Sequence, residues 1–199
     1  MKSIKFASVV TLGLLSMSLA GCGNNDNQST SKTEQTQDNK KYSEEKEDIN
    51  VDATKYTFNP KTLIKQFESK NKGYVVTSVE LDDDNNHVGY EVTGIDTKNH
   101  SELNVIYDAK KTSRIIHQEK ESYDDNDEIT LKINDVNVSP KDAMDKSKKE
   151  IKSNRNADGW KLEMTEQSVP VYKVQFESPD TTVMINAKNG HVVATENDD

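Results

Sequence analysis

Two acidic segments are the leading candidates in this chain for binding a ligand through their side chains. They are residues 82–87 (Asp-Asp-Asp-Asn-Asn-His) and residues 124–128 (Asp-Asp-Asn-Asp-Glu). Carboxylate and amide oxygens are the ligands that calcium prefers, but the spacing is not that of an EF-hand. With Asp82 as the first position, the sixth must be Gly and the twelfth Glu, where the chain has His87 and Thr93. Asp and Asn also suit hairpin turns. We expect solvated turns, with weak cation binding as the alternative.

The remaining residues with catalytic or metal-binding potential lack a recognised spacing. The histidines are His87, His100, His117 and His191. They form no His-Glu-x-x-His or other short pair, so the sequence predicts no zinc site. It also contains no Gly-x-Ser-x-Gly motif and no phosphate-binding glycine loop. We therefore predict that the protein is not an enzyme and has no catalytic residue, metal or cofactor.

Charge excludes some partners and leaves others open. The chain has 26 Lys and Arg against 35 Asp and Glu, a net charge of −9. Without residues 1–21, which hold two lysines and no acids, the net charge is −11. This argues against nucleic acid and against docking flat on anionic lipid. One segment is locally basic, with Lys146, Lys148, Lys149, Lys152 and Arg155. It is either a solvated helix face or a surface for an anionic wall polymer or acidic partner.

The N-terminus has the pattern of a secretion signal. Lys2 and Lys5 precede an apolar run, residues 6–15, that is too short to span a bilayer. The run is followed by Leu19, Ala20, Gly21 and Cys22. These four residues resemble the lipobox of bacterial lipoproteins. The resemblance implies a diacylglyceryl thioether on Cys22, cleavage before it with acylation of the new amino group, and a protein held at the extracytoplasmic face of the cell membrane by its lipid.

The same cysteine limits the rest of the chain. Cys22 is the single Cys, so its conversion to a lipid thioether would leave no thiol for a disulfide, for catalysis or for a metal. Residues 1–21 are then the signal peptide. Residues 22–52 are rich in Asn, Gln, Ser, Thr, Asp, Lys and Glu, a composition that predicts a disordered tether.

Two stretches about 80 residues apart follow one pattern and indicate a duplicated element order. Asn59-Pro60 and Ser139-Pro140 each combine a good N-cap with Pro at the first helical position. They predict one helix to about Asn71 and another to about Asn154. Each helix is followed by segments with apolar residues at every second position, which predict strands.

The predicted fold class is α+β, with two tandem modules, each of one helix packed on a small antiparallel sheet of three to four strands. Modules of about 60 residues are only marginally stable alone, and pairing would increase their stability. Gly73-Tyr74 and Gly159-Trp160 open equivalent strands in this alignment, so both aromatic residues are expected in the core; exposure would instead indicate a binding anchor. Residues 129–133 also alternate, and could extend the first sheet or bridge the two.

The repeated motifs resemble the PepSY domain. The second copy matches best, since residues 186–193 (Asn-Ala-Lys-Asn-Gly-His-Val-Val) are similar to the closing motif of that family. In the first copy, residues 111–113 replace the glycine of this turn. The resemblance implies a PepSY-like domain over residues 53–120, a connecting hairpin or strand over residues 121–133, and a second PepSY-like domain over residues 134–196.

The function implied by this resemblance is non-catalytic. PepSY domains occur in propeptides of thermolysin-like metallopeptidases and in bacterial envelope proteins. The resemblance implies a lipoprotein that binds, inhibits or helps fold a secreted peptidase or another exported protein. A free sheet edge could receive an extended segment of that partner. Two alternatives stay open: a structural or assembly accessory of an envelope complex, and an extracytoplasmic ligand or cation sensor.

Overall fold

The computed structural model describes residues 51–84, 87–122, 129–178 and 180–197. The first half contains the 3-10 turn Ala53–Lys55, helix α1 (Pro60–Lys70) and strands β1 (Val75–Asp84), β2 (His87–Asp96), β3 (Ser101–Asp108) and β4 (Lys111–Ser122). The second half repeats this order with the 3-10 turn Ile133–Asp135, helix α2 (Pro140–Glu150) and strands β5 (Gly159–Met164), β6 (Pro170–Glu177), β7 (Asp180–Asn186) and β8 (Val192–Asn197). The predicted element order is therefore present in both halves.

Both helices begin where their caps predict. The Asn59 side chain accepts a hydrogen bond from the Lys61 amide, and the Ser139 side chain accepts one from the Asp142 amide. Helix α1 ends as expected, whereas α2 ends at Glu150, four residues before the prediction. There Lys152 adopts a positive φ of 52°, and the Ser153 amide donates to the Lys148 carbonyl at 3.1 Å. This left-handed C-terminal cap ends α2 without a glycine.

The predicted fold class is wrong, because the strands do not form two small sheets. They form one eight-stranded antiparallel sheet in the order β4-β3-β2-β1-β5-β6-β7-β8. Strands β1 and β5 join the halves, with Val79 opposite Leu162 and Leu81 opposite Trp160. Two separate sheets would each leave an edge of unpaired amides and carbonyls at this point, and the pairing satisfies both edges.

The core lies on one face of this sheet, under both helices. Cross-strand register places two rows of side chains there, and nearly all are fully buried. One row contains Tyr107, Tyr90, Leu81, Trp160, Val174 and Val183, and the other contains Val105, Val92, Val79, Leu162, Tyr172 and Ile185. Helix α1 adds Leu63, Ile64 and Phe67, and α2 adds Ala143 and Met144. The two halves therefore share one continuous core.

Register also corrects the alignment of the two halves. Leu81 pairs with Tyr90 in the first half, and Leu162 pairs with Tyr172 in the second. With the tyrosines equated, Trp160 corresponds to Val79 and not to Tyr74. Trp160 is fully buried at the junction of the halves, as predicted for the core. Tyr74 precedes β1 and is only partly buried, so its predicted place in the core is wrong in part.

Equivalent tyrosines tie the segment before each helix to the sheet. The Phe58 amide donates to the Tyr90 hydroxyl at 3.0 Å, and the Tyr172 hydroxyl donates to the Val138 carbonyl at 3.0 Å. Burial raises the pKa of Tyr90 to about 12 and also raises the pKa of Tyr172. Both phenols therefore stay neutral at ordinary pH.

The alternating segment 129–133 does not form a strand. Residues 129–132 have no regular secondary structure, and Ile133 begins a 3-10 turn. Leu131 is buried, and its amide donates to the Val76 carbonyl at 2.8 Å, next to the irregularity in β1. The alternation here reflects three apolar side chains that pack against the core, with Leu131 buried and Ile129 and Ile133 partly buried.

Candidate binding surfaces

The face of the sheet opposite the helices is the first candidate surface, and we call it the open face. Its side chains come from the residues that alternate with the core positions. Four of them form a row across the middle of the sheet: Glu91 lies opposite Glu80, Glu80 opposite Lys161, and Lys161 opposite Lys173. The row is thus acidic in the first half of the molecule and basic in the second.

Ion pairs order the centre of the open face. Lys161 Nζ lies 3.4 Å from Glu80 Oε2 and 3.9 Å from Glu163 Oε2, and Lys173 Nζ lies 2.5 Å from Glu163 Oε1. These four side chains are 18–25% exposed, so solvent screens them less than ordinary surface pairs. Glu80 and Lys161 occupy equivalent positions in the two halves and lie on the approximate two-fold axis between them.

Taken as a whole, the open face is strongly acidic. The end of the β3–β4 hairpin, where Asp108 lies opposite Lys111 and the register is irregular, is left out of the following count. Among the other described residues, register and alternation place nine carboxylates on the open face, at Glu80, Glu91, Glu102, Glu119, Glu121, Glu163, Glu177, Asp180 and Glu196. The lysines among these counted open-face positions are Lys161 and Lys173. Such a surface favours a partner that presents positive charge.

The two outer strands are the second candidate surface. Each has a register irregularity that exposes an apolar pair, Ile115 and Ile116 in β4 and Val192 and Val193 in β8. Each of these side chains is at least 36% exposed. Strand β4 also carries Lys111, Arg114 and Lys120, and lysines and irregularities hinder edge pairing. Strand β8 has no lysine and is the less protected edge.

The residues singled out for metal chemistry do not converge in the described part of the chain. It contains no group of three or more His, Cys, Asp or Glu side chains placed to hold a metal ion. His87 begins β2, His117 lies in β4, and His191 precedes β8. His100 lies in the turn before β3 with a φ of 48°. Residues 82–84, predicted as part of a turn, instead form the end of β1 and pair with β2. Residues 85, 86 and 124–128 lie outside the described residues, and the turns predicted there stay predictions.

The predicted lipidation site also lies outside the described residues. This applies to Leu19, Ala20, Gly21 and Cys22, and to the signal peptide and almost all of the tether. Among the described residues, no helix is long and apolar enough to cross a bilayer. The lipid anchor therefore stays a prediction from the sequence.

Sequence inspection missed the charge row of the open face. The available clue was that Glu80 alternates with Val79 and Leu81, and Lys161 with Trp160 and Leu162, which marks both as residues of the polar face. Alternation cannot reveal that the two face each other, because that requires the β1–β5 register.

Of the comparisons with known proteins, the family match lies in the second half, whereas the structural match covers most of the chain. Residues 137–196 match the PepSY family, described as peptidase propeptide and YPEB domain. No curated protein matches the chain. The crystal structure of a candidate lipoprotein from Clostridium difficile 630 has the same fold, with a TM-score of 0.61 and 24% sequence identity over 72% of this chain and 95% of that chain. The PepSY resemblance is confirmed for residues 137–196, and for the first half it stays a prediction.

Proposed function

We propose that this chain is a lipid-anchored extracytoplasmic binding protein whose open face receives an exported protein. A secreted peptidase or its precursor is the first candidate partner. The PepSY match over residues 137–196 supports the class, since the family description names peptidase propeptides. The lipobox-like residues at Cys22 and the shared fold with a candidate lipoprotein support the location.

The observation that carries the proposal is the open face itself. It spans eight strands, and its nine described carboxylates outnumber its two lysines. A folding role alone does not require so many acids on one face, because like charges on neighbouring strands are destabilising. Cationic segments of a partner would relieve this repulsion, which steers association and selects the partner by charge. Pairing of an extended segment with β8 would add backbone hydrogen bonds.

The test is partner capture in cells that carry the native lipid-anchored protein. Crosslinking, followed by identification of the captured proteins, should recover exported proteins, with peptidases prominent. A variant with Glu102→Gln and Glu121→Gln, which face each other across β3 and β4, should lose most of this capture. The matched control is Glu68→Gln with Glu150→Gln on the helices, which also removes two acids and should retain it.

Three outcomes would overturn parts of this proposal. Capture of integral membrane or wall-synthesis proteins instead of peptidases would favour an assembly accessory. Equal loss in both double variants would remove the open face from the mechanism. Recovery of no exported protein would reject binding as the function.

A further inference from the structure

Charge is segregated between the two layers of the molecule. The helix layer, residues 51–74 and 129–158, contains 12 Lys and Arg but only seven Asp and Glu. The open face has the opposite excess, with nine described carboxylates against two lysines. The negative net charge of the chain therefore hides a basic side and an acidic side.

The most concentrated part of the basic side is the end of α2, which we call the basic cluster: Lys148, Lys149, Lys152 and Arg155. The left-handed cap at Lys152 turns the chain so that all four residues stay at one end of the helix. Lys149, Lys152 and Arg155 are exposed. Cations also stabilise a helix C-terminus, but that effect is confined to the last turn and does not require Arg155.

Four acids lie near the basic cluster: Asp145 and Glu150 on α2, and Asp52 and Asp158 beside Arg155. Asp145 is paired with Lys141, with its Oδ2 at 2.6 Å from Lys141 Nζ. Glu150 is exposed on the same last turn. Asp52 is paired with Lys55, with its Oδ2 at 3.8 Å from Lys55 Nζ. Lysines outside the cluster thus neutralise two of the four acids, and four basic side chains face the remaining two, Glu150 and Asp158.

The chain enters the folded part beside this cluster. The Ala53 amide donates to the Ala157 carbonyl at 2.9 Å, and the Asn156 side chain donates to Asp52 Oδ1 at 3.2 Å. Lys148 Nζ in turn donates to Asn156 Oδ1 at 2.8 Å. These contacts link the first described residues directly to the basic cluster. Cys22, the proposed lipid anchor, precedes Val51 by only 28 intervening residues.

We propose that the basic cluster docks on the anionic headgroups of the bilayer in which the proposed lipid anchor is inserted. The tether predicted from the composition of these 28 residues would keep the domain within about 30 Å of the lipid. The acidic open face lies beyond the helix layer, which is about 10 Å thick, and the Debye length at physiological salt is about 8 Å. Repulsion from that face is therefore largely screened at the headgroups. This orientation directs the open face away from the membrane, toward exported proteins.

Vesicle binding tests the proposal without the anchor. The chain from residue 22, with Cys22→Ser, is mixed with vesicles of 30% phosphatidylglycerol in phosphatidylcholine, or of phosphatidylcholine alone, and bound protein is measured by cosedimentation. We expect binding to the anionic vesicles only, and its loss in high salt. Lys148→Gln, Lys149→Gln, Lys152→Gln and Arg155→Gln together should weaken partitioning about a hundredfold or more, at about tenfold for each 1.4 kcal/mol and about 1 kcal/mol for each basic residue.

The matched control also removes four lysines, here from α1 and the turn that follows it, with Lys61→Gln, Lys65→Gln, Lys70→Gln and Lys72→Gln. It should change partitioning less than about fivefold. Circular dichroism and urea unfolding confirm that both variants fold.

Each contrary result overturns a defined part of the inference. Absence of binding to anionic vesicles, or equal loss in both variants, rejects docking through the basic cluster. Equally tight binding to soluble poly(glycerol phosphate) assigns the cluster to a wall polymer and rejects the bilayer as its partner. None of these results affects partner capture through the open face, so the two proposals fail independently.

Discussion

The two halves of the molecule use equivalent positions alike for folding and differently for charge. Tyr90 and Tyr172 tie the segment before each helix to the sheet. The side chain of Asp108 accepts hydrogen bonds from the amides two and three residues later, and so does that of Asn186. These contacts recur because each half has to solve the same local folding problems.

The charges of the open face differ between the halves. Glu80 and Glu91 in the first half correspond to Lys161 and Lys173 in the second, by the register of β1, β2, β5 and β6. The buried pair also differs, since Val79 corresponds to Trp160. The junction of the halves is therefore specialised. It has one large side chain, Trp160, on the core face and the oppositely charged Glu80 and Lys161 on the open face. Substituting equivalent residues in one half at a time shows which of them have the same role in both halves and which act only in one.

The largest expected effect is at the junction of the core. Trp160→Ala should lower the free energy of unfolding by about 3–5 kcal/mol, because it leaves a large cavity in contact with Tyr90 and Tyr172. The equivalent Val79→Ala removes only two methyl groups and should cost about 2 kcal/mol. Urea unfolding measures both values.

The Val79→Ala protein also tests cooperativity, because it retains the single tryptophan as a probe. Circular dichroism and tryptophan fluorescence should report one coincident transition if the joined sheet unfolds as a unit. Two separated transitions would mean that the halves unfold independently despite the β1–β5 pairing.

Alkaline pH should destabilise both halves through their buried tyrosines. The folded-state pKa of Tyr90, about 12, lies above the unfolded value near 10, so the folded state holds the phenolic proton more tightly. The stability that this provides is complete below pH 10 and is lost as the pH rises through 12. The free energy of unfolding should therefore fall between pH 10 and 12.

Substituting each tyrosine in turn shows which half of the molecule causes the loss of stability at alkaline pH. Tyr90→Phe or Tyr172→Phe should each make the fall with pH shallower, as measured by urea unfolding at a series of pH values. A profile that neither substitution alters would mean that other groups control alkaline stability.

Local structure followed from the sequence, whereas the assembly of the sheet did not. Asn59 and Ser139 cap helices as predicted, because capping depends on neighbouring residues alone. The β1–β5 pairing depends on two strands about 80 residues apart, whose alternation suits an edge strand and a central strand equally well. The charge row of the open face could not be predicted for the same reason.

The misaligned aromatic residues illustrate the same limit. Gly73 has a φ of 97° and lies in the turn before β1, whereas Gly159 is itself the first residue of β5. The two Gly-aromatic pairs look equivalent in sequence, although their glycines have different structural roles. Only the strand register shows that Trp160 corresponds to Val79.

The tyrosine contacts should differ in strength at neutral pH. Tyr90→Phe leaves the Phe58 amide without its acceptor and should cost about 1–2 kcal/mol. Tyr172→Phe removes a donor from the Val138 carbonyl, which tolerates the loss better because a carbonyl oxygen has a second lone pair. Its cost should be about 1 kcal/mol or less. Urea unfolding at pH 7 measures the difference, and a larger loss for Tyr172→Phe would contradict this explanation.

The smallest effect concerns the ion pair on the approximate two-fold axis. A double-mutant cycle with Glu80→Gln and Lys161→Met should give a coupling free energy of about 0.5–1 kcal/mol, reduced in 0.5 M salt. The exposed Lys141–Asp145 pair of α2 is the control, since its 2.6 Å separation is shorter than the 3.4 Å of the axis pair. If distance alone set the strength, the α2 pair would couple more strongly. We expect the reverse, because the axis side chains are 18% and 22% exposed and the α2 side chains are 46% and 63% exposed. Water and salt screen the shorter pair more completely.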